Sequence, residues 1–247
     1  MPLAATRLLR RSLGLLLVAA LTLGFVHLHY GVSFGLDGVS RPTPLGAPPR
    51  VATGVGSHDF MVRQPHDRTQ PVAYDPCRPV RYQVDADLAP RGADRLVTQA
   101  VAAVSRATGL VFEYDGPTDR LPSPEEQGAD RHPVVISWTT PSAVPGLAGP
   151  TVGLGGSTAR TQPFVDELEY VTGSVLLDAP ALSELLERAD GERLARAVVM
   201  HELGHLVGLA HVDDPDELMA EQNSGLLGFG PGDREGLALL GSGRCFP

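Results

Sequence analysis

The sequence HELGHLVGLAH, residues 201–211, decides the fold that we predict, because its histidines can meet only if a helix is followed by a turn. His201 and His205 are four residues apart, so on an α-helix they lie on one face, about 40° from each other. On a continued helix His211 would lie about 240° round from His205 and could not join them. The chain must therefore turn, and Gly208 can supply the turn because glycine accepts the left-handed conformation that ends helices.

Three imidazoles that meet at one point predict a metal site. Three neutral histidines leave a tetrahedral Zn²⁺ with one open position for water, which distinguishes a catalytic zinc site from a closed structural one. Glu202 lies about 100° round the helix from His201, beside the metal. HExxH alone occurs by chance in helices, but the added glycine and third histidine argue against coincidence. We therefore predict one catalytic zinc ion bound by His201, His205 and His211.

A methionine after the third histidine completes a longer pattern. Met219 follows His211 by eight residues, and HExxHxxGxxH with a later methionine resembles the metzincin clan of zinc endopeptidases. The spacing is similar to the matrixin branch of that clan, and the likeness covers residues from about 77 to 247. The resemblance implies that Met219 lies in a Met-turn, a hydrophobic base under the three histidines. Ala220 and Glu221 depart from the matrixin pattern of an aromatic residue and then proline, so we expect a different wall to the substrate pocket.

The same resemblance implies an α+β fold, with a twisted, mostly parallel sheet of about five strands, two long helices, the Met-turn and a C-terminal helix. The hydrophobic periodicity of the chain agrees with this fold. We predict strands over 80–84, 110–114, 134–138 and 170–178, and helices over 93–108, from near 192, and over 232–240. With 247 residues and 43% hydrophobic content, the chain can bury one substantial core, so we expect one catalytic domain.

The glycine-rich stretch 149–160 has two interpretations. It could form a flexible loop, but residues 151–154 alternate in polarity and precede the predicted strand 170–178. The resemblance implies an edge strand beside the active cleft. Matrixin-like enzymes bind extended peptides by adding them to such an edge, where main-chain hydrogen bonds hold many sequences alike. We therefore expect a peptide or protein substrate to lie along this strand.

Taken together, these features predict a zinc-dependent endopeptidase. The resemblance implies that a zinc-activated water hydrolyses the peptide bond while Glu202 acts as the general base. The alternative is a non-catalytic, zinc-containing module for peptide binding or surface assembly, but such a module would be expected to lose the glutamate, and Glu202 is intact. A non-peptidase zinc hydrolase is disfavoured by the third histidine together with the Met-turn. Asp213, Asp214 and Asp216 could suggest Ca²⁺, yet no loop of alternating oxygen ligands is visible, so a solvated turn is favoured.

The first 30 residues direct the chain to a membrane. A basic start is followed by residues 12–26, an uncharged run that is rich in leucine. This segment fits either a cleaved signal peptide or a retained membrane anchor, since a good cleavage site is missing and the run is slightly short for a span. In both cases we expect the remainder to be exported, as a monomer that is extracellular or held at the cell surface.

The net charge argues against nucleic acid as a partner. Residues 1–30 hold three arginines and no acids, so the remainder of the chain carries −12 where the whole chain carries −9. A surface of that sign repels phosphate backbones.

Residues 31–72 are rich in proline and glycine and lack periodicity, so we predict a linker there, followed by the folded domain over 73–247. Cys77 and Cys245, the two cysteines of the chain, stand near the two ends of that domain. An exported protein with two cysteines most simply pairs them, so we predict a disulfide. The competing interpretation is that Cys77 blocks the zinc as a switch, but this would leave Cys245 unpaired.

Overall fold

The computed structural model of the chain describes residues 42–120, 131–162, 166–222 and 225–246. The predicted leader, residues 1–30, lies outside this part, and so do the first residues of the predicted linker. Among the described residues, no helix combines the length and the apolar character that crossing a membrane requires.

The sheet has five strands in the order β2-β1-β3-β5-β4. Neighbouring strands run parallel except β4, which is antiparallel to β5 at one edge of the sheet. This confirms the predicted mostly parallel sheet and the α+β class. The strands are β1 (Val80–Asp85), β2 (Phe112–Pro117), β3 (Val134–Thr139), β4 (Gly153–Thr161) and β5 (Leu168–Asp178).

Two long helices pack with the sheet, as predicted, and a shorter helix closes the described chain. The long helices, α1 and α3, contact each other, and α3 also lies against β4. In order, the helices of the described residues are α1 (Ala93–Thr108), α2 (Ala179–Leu186), α3 (Gly191–Val207) and α4 (Pro231–Gly241). α1 is amphipathic because its apolar residues recur every three or four positions, and the buried ones form one face against the core.

The hydrophobic core fills the space between the sheet and the long helices. All six residues of β3 are buried, as expected for a central strand. Trp138 of this strand and Leu203 and Leu206 of α3 are at most 1% exposed. Each such side chain contributes about 1.5–3 kcal/mol to folding relative to an exposed one. The inner face of α3 is thereby fixed on the sheet, which sets the direction in which its histidines project.

The described part of the predicted linker is packed against the domain. The compact unit begins at Pro42, not at residue 73. Met61 N donates to Gly208 O at 2.9 Å, Ala210 N donates to Asp59 O at 2.9 Å, and Phe60 is buried. The linker prediction is therefore corrected for this part of the chain. It failed because this segment is held largely by main-chain hydrogen bonds, which leave no periodic pattern of side chains.

A disulfide joins Cys77 to Cys245, as predicted, with 5.4 Å between their Cα atoms. It ties the chain just before β1 to the segment after α4. By the chain-entropy treatment, a loop of this length stabilises the fold by at most about 5 kcal/mol. Because the sulfur of Cys77 is bonded to that of Cys245, it is not free to bind a metal, and the switch interpretation is wrong for this structure.

Candidate metal centre and active site

The three motif histidines converge on one point. His201 and His205 project from α3, which ends at Val207, and His211 follows the turn. Their Nε2 atoms lie 3.0 Å apart in the pairs 201–205 and 205–211, and 3.1 Å apart in the pair 201–211. Gly208 makes the turn with a φ of 123°, a left-handed value that side chains rarely adopt. We call these three residues the histidine centre.

The donor atoms of the histidine centre suit a zinc ion. His201 Nδ1 donates to Leu218 O at 2.7 Å and His205 Nδ1 donates to Leu209 O at 2.8 Å, since a carbonyl oxygen can only accept. In these neutral rings the Nε2 atoms carry lone pairs, which repel one another at about 3 Å unless a cation lies between them. Burial lowers the pKa of His205 to about 4 and lowers that of His201, which keeps both rings neutral. Three neutral imidazoles form a zinc site with a position left open.

Met219 lies beneath the histidine centre. It is 1% exposed, and it contacts α3 at Gly204, where an added Cβ would come within 2.6 Å of the Met219 Sδ. Gly204 lies on α3 immediately before His205, so the sulfur packs on the helix segment that presents the ligands. After Met219, Ala220 is buried and Glu221 is exposed.

Two buried acids hold the turn that carries Met219, and our sequence reasoning missed them. Asp233 Oδ2 accepts from Leu218 N at 2.6 Å and from Gly230 N at 2.9 Å, and Oδ1 accepts from Met219 N at 3.3 Å. Glu217 accepts from Gly232 N at 2.7 Å and from Asp233 N at 2.9 Å, at the first turn of α4. We call Glu217 and Asp233 the carboxylate pair.

The carboxylate pair connects α4 to the histidine centre. Asp233 binds the N–H of Leu218, and the carbonyl of Leu218 in turn binds the Nδ1 of His201. The pKa of Asp233 is raised to about 6, chiefly by burial and to a smaller extent by the neighbouring Glu217, while three backbone N–H groups act in the opposite direction. The signal available in the sequence was an acid at the start of a predicted helix, where helix N-termini favour carboxylates.

The other acids near the site do not gather. Asp213, Asp214 and Asp216 all lie between His211 and Met219, and Asp214 accepts a hydrogen bond from Asp216 N at 3.1 Å within its own turn. Within the described ranges, their oxygens do not form a cluster of the size and closeness that a metal ion needs. The structure therefore adds no support for Ca²⁺ in this turn.

Glu202 follows His201 on α3 and is almost wholly enclosed. It is 6% exposed. Burial raises the pKa of its carboxyl to about 8, and a hydrogen bond from Gly155 N–H opposes this rise. A cation held by the three histidines would also favour the ionised form. A buried carboxylate that adjoins the first histidine of the motif is a candidate to accept a proton from a water molecule at this site.

Comparison with known proteins points to one family. The family model described as matrixin matches residues 149–226, a span that contains β4, α3, the histidine centre and Met219. Curated proteins give no match to the chain.

Two solved structures resemble the chain at low identity. Archaemetzincin from Methanopyrus kandleri is 16% identical, with a TM-score of 0.43, over 65% of this chain and 93% of that one. The GM1-bound form of the ECX AB5 holotoxin is 13% identical, with a TM-score of 0.39, over 67% of this chain and 81% of that one.

The matrixin match, the mostly parallel sheet and the converging histidines agree with one another. The matched span also contains Glu202, the acid that adjoins the first ligand in the motif. The chain therefore resembles the matrixins over residues 149–226, the span in which its three histidines converge.

Proposed function

We propose that the chain is a zinc-dependent endopeptidase in which Glu202 is the general base. The observation that carries the proposal is the convergence of three Nε2 atoms within 3.1 Å of one another, with the buried Glu202 next to His201 in the chain. Zinc bound there would supply a Lewis acid that lowers the pKa of water and polarises a peptide carbonyl.

Glu202 and the histidines would have separate roles in this reaction. Glu202 takes the proton of the attacking water on its carboxylate and passes it to the departing amine. Its enclosure supports this role, because a carboxylate with little solvent binds a proton more readily than an exposed one. His201 and His205 are held by the carbonyls of Leu218 and Leu209, so their rings keep one orientation through the reaction.

The open edge of β4 supports a peptide as the substrate. Asp178 N donates to Val152 O at 2.9 Å, so Val152 turns its main-chain groups towards β5. In an antiparallel ladder this direction alternates, so the residues of β4 that follow Val152 turn their main-chain groups alternately away from β5 and towards β5. Within the described part of the chain, the groups that turn away can receive an added strand, except the N–H of Gly155, which faces Glu202. An exposed Glu221 after the Met-turn supports a pocket wall unlike the usual matrixin one.

The proposed setting is outside the cell. The Cys77–Cys245 disulfide suits an oxidising compartment, in line with the leader predicted over residues 1–30. We propose an exported monomer, released or anchored according to whether that leader is cleaved, acting on peptides or proteins and not on nucleic acid.

Digestion of a mixed peptide library by the zinc-loaded protein and by its Glu202→Gln variant tests this function. Glutamine keeps the size of the side chain but cannot accept the proton. We expect internal cleavage by the wild type, loss of cleavage with a chelator, and a fall of about 10²–10⁴-fold in the variant at unchanged zinc content. Equal cleavage by both proteins would contradict the role of Glu202. Specific retention of peptides without cleavage would favour the binding module.

A further inference from the structure

Strand β4 lies against α3 at Glu202, and glycines make this approach possible. A Cβ added to Gly153 would lie 2.6 Å from Cγ of Glu202 and 2.7 Å from its Cδ and Oε1. A Cβ added to Gly155 would lie 2.0 Å from the backbone oxygen of Glu202. Neither distance is open to a real side chain, so a residue with a Cβ at either position would force the strand or Glu202 to move.

The next glycine of the strand shows that this demand is local. A Cβ added to Gly156 would meet nothing within 4 Å. Glycine in a strand interior weakens the strand, by about 0.5–1 kcal/mol relative to alanine in regular structure. Two glycines that face Glu202 therefore carry a cost in stability at the point where the strand touches the proposed base.

Hydrogen bonding gives these glycines a second link to Glu202. The N–H of Gly155 donates to the Glu202 carboxylate. Because Asp178 N binds Val152 O, the ladder alternation directs the N–H of Gly155 away from β5. The hydrogen bond to Glu202 therefore does not replace a hydrogen bond between β4 and β5. One turn further along α3, Ser157 Oγ donates to Leu206 O at 2.6 Å and fixes the strand on the helix.

We infer that Gly153 and Gly155 are positioning residues for Glu202. The N–H of Gly155 fixes the carboxylate, and the missing side chain of Gly153 leaves the space that the carboxylate occupies. This inference rests on the proposed endopeptidase function. A reacting group displaced by about 1 Å can cost on the order of 100-fold in rate, so we expect a disturbance of this contact to lower kcat.

Gly153→Ala in the full chain, with Gly156→Ala as the matched control, tests the inference. We expect Gly153→Ala to keep its zinc and its KM within about 2-fold while kcat falls by about 10–100-fold, because only the carboxylate is displaced. Gly156→Ala should keep wild-type kcat. An unchanged kcat in Gly153→Ala, or an equal fall in both variants, would overturn the inference.

A second pair of variants removes the donor without adding bulk. Replacing Gly155 by glycolic acid exchanges its N–H for an ester oxygen, and the same exchange at Gly156 removes an N–H on the β5 side of the strand. We expect kcat to fall at position 155 and to stay close to wild type at position 156. The reverse order would show that the strand matters only as a scaffold.

Crystal structures of zinc-loaded wild type and Gly153→Ala separate this inference from the proposed function. If the wild type cleaves no peptide, the proposed function fails, but displacement of the Glu202 carboxylate from Gly155 N in the variant would still support the positioning role. A carboxylate that keeps its place beside Gly155 N in Gly153→Ala would overturn it, whether or not the protein is a peptidase.

Discussion

The histidine centre and the carboxylate pair contact the same turn of the chain, but they do so through different chemical groups. In the histidine centre, side-chain nitrogens from one helix and the turn after it point at one another. In the carboxylate pair, the partners of Glu217 and Asp233 among the described residues are main-chain N–H groups, 14 to 16 residues away in their longer contacts. The histidine nitrogens are arranged to bind a cation, whereas the carboxylate oxygens already accept hydrogen bonds from main-chain N–H groups.

This difference shows what stabilises each of the two regions. The facing lone pairs of the histidine centre are unfavourable until a cation joins them, so this region gains stability from its ligand. The carboxylate pair gains its stability from the fold alone, since its buried oxygens are matched by N–H donors. Loss of a histidine should therefore affect metal binding most, and loss of a carboxylate should affect folding most.

The largest expected effect is on zinc binding by His205→Ala. We expect its zinc dissociation constant to rise by more than about 100-fold, because loss of an outer partner of a ligand already costs about 10–100-fold. His132→Ala, which removes an exposed histidine outside the histidine centre, is the control and should bind zinc as the wild type does. Competition titration with a chromophoric chelator measures both. Wild-type affinity in His205→Ala would remove the distinction between the two regions.

The next effect concerns pH and the carboxylate pair. Asp233 has its pKa raised by burial from 3.8 to about 6. Between these values the folded protein keeps a proton that the unfolded chain releases, so stability falls as pH rises from about 4 to about 6 and then stays level. The loss attributable to Asp233 is at most about 3 kcal/mol.

Chemical denaturation at several pH values, with Asp233→Asn as the reference, isolates this contribution. The asparagine has no proton to lose, so its stability should decline less than that of the wild type across the window. Parallel pH profiles for the two proteins would show that Asp233 does not titrate in this range.

The sequence predicted the histidine centre because its chemistry lies in side chains at fixed spacing. The spacing of four residues between His201 and His205 placed both on one face of a helix, and Gly208 indicated the turn before His211. The sheet class was implied by the resemblance, with which the apolar runs of the buried strands agree, and the disulfide was predictable because two cysteines leave one pairing.

Contacts to the main chain left no such signal. Glu217 stands in an acidic stretch that reads as a solvated turn, and only the folded α4 brings the N–H groups of Gly232 and Asp233 to it. Phe60 lies in a segment that reads as a linker, yet this segment is hydrogen-bonded to the chain around Gly208. Main-chain donors are the same at every residue, so their partners become visible only when the fold is known.

The smallest effect that we predict compares two glutamates. Glu217 is fully buried and takes the place of a capping side chain at α4, whose preceding residue, Gly230, has none. Glu217→Gln leaves one acceptor and turns an amide N–H₂ towards the second donor, so we expect a loss of about 0.5–2 kcal/mol, as for a lost helix cap. Glu192, in the first turn of α3, instead pairs with Arg95 at 3.0 Å on the surface, where both side chains are more than half exposed.

Glu192→Gln makes the same chemical change in solvent and is the matched control. Exposed ion pairs contribute about 0–1 kcal/mol, so we expect a change below about 0.5 kcal/mol that fades with added salt. Urea denaturation of both variants, at low and high salt, measures the difference. If Glu192→Gln costs as much as Glu217→Gln, surface charge and not the buried main-chain contacts would be holding the helix ends, and the contrast drawn between the histidine centre and the carboxylate pair would fail. A loss confined to Glu217→Gln and insensitive to salt would locate the stability of the Met219 turn in those two N–H bonds.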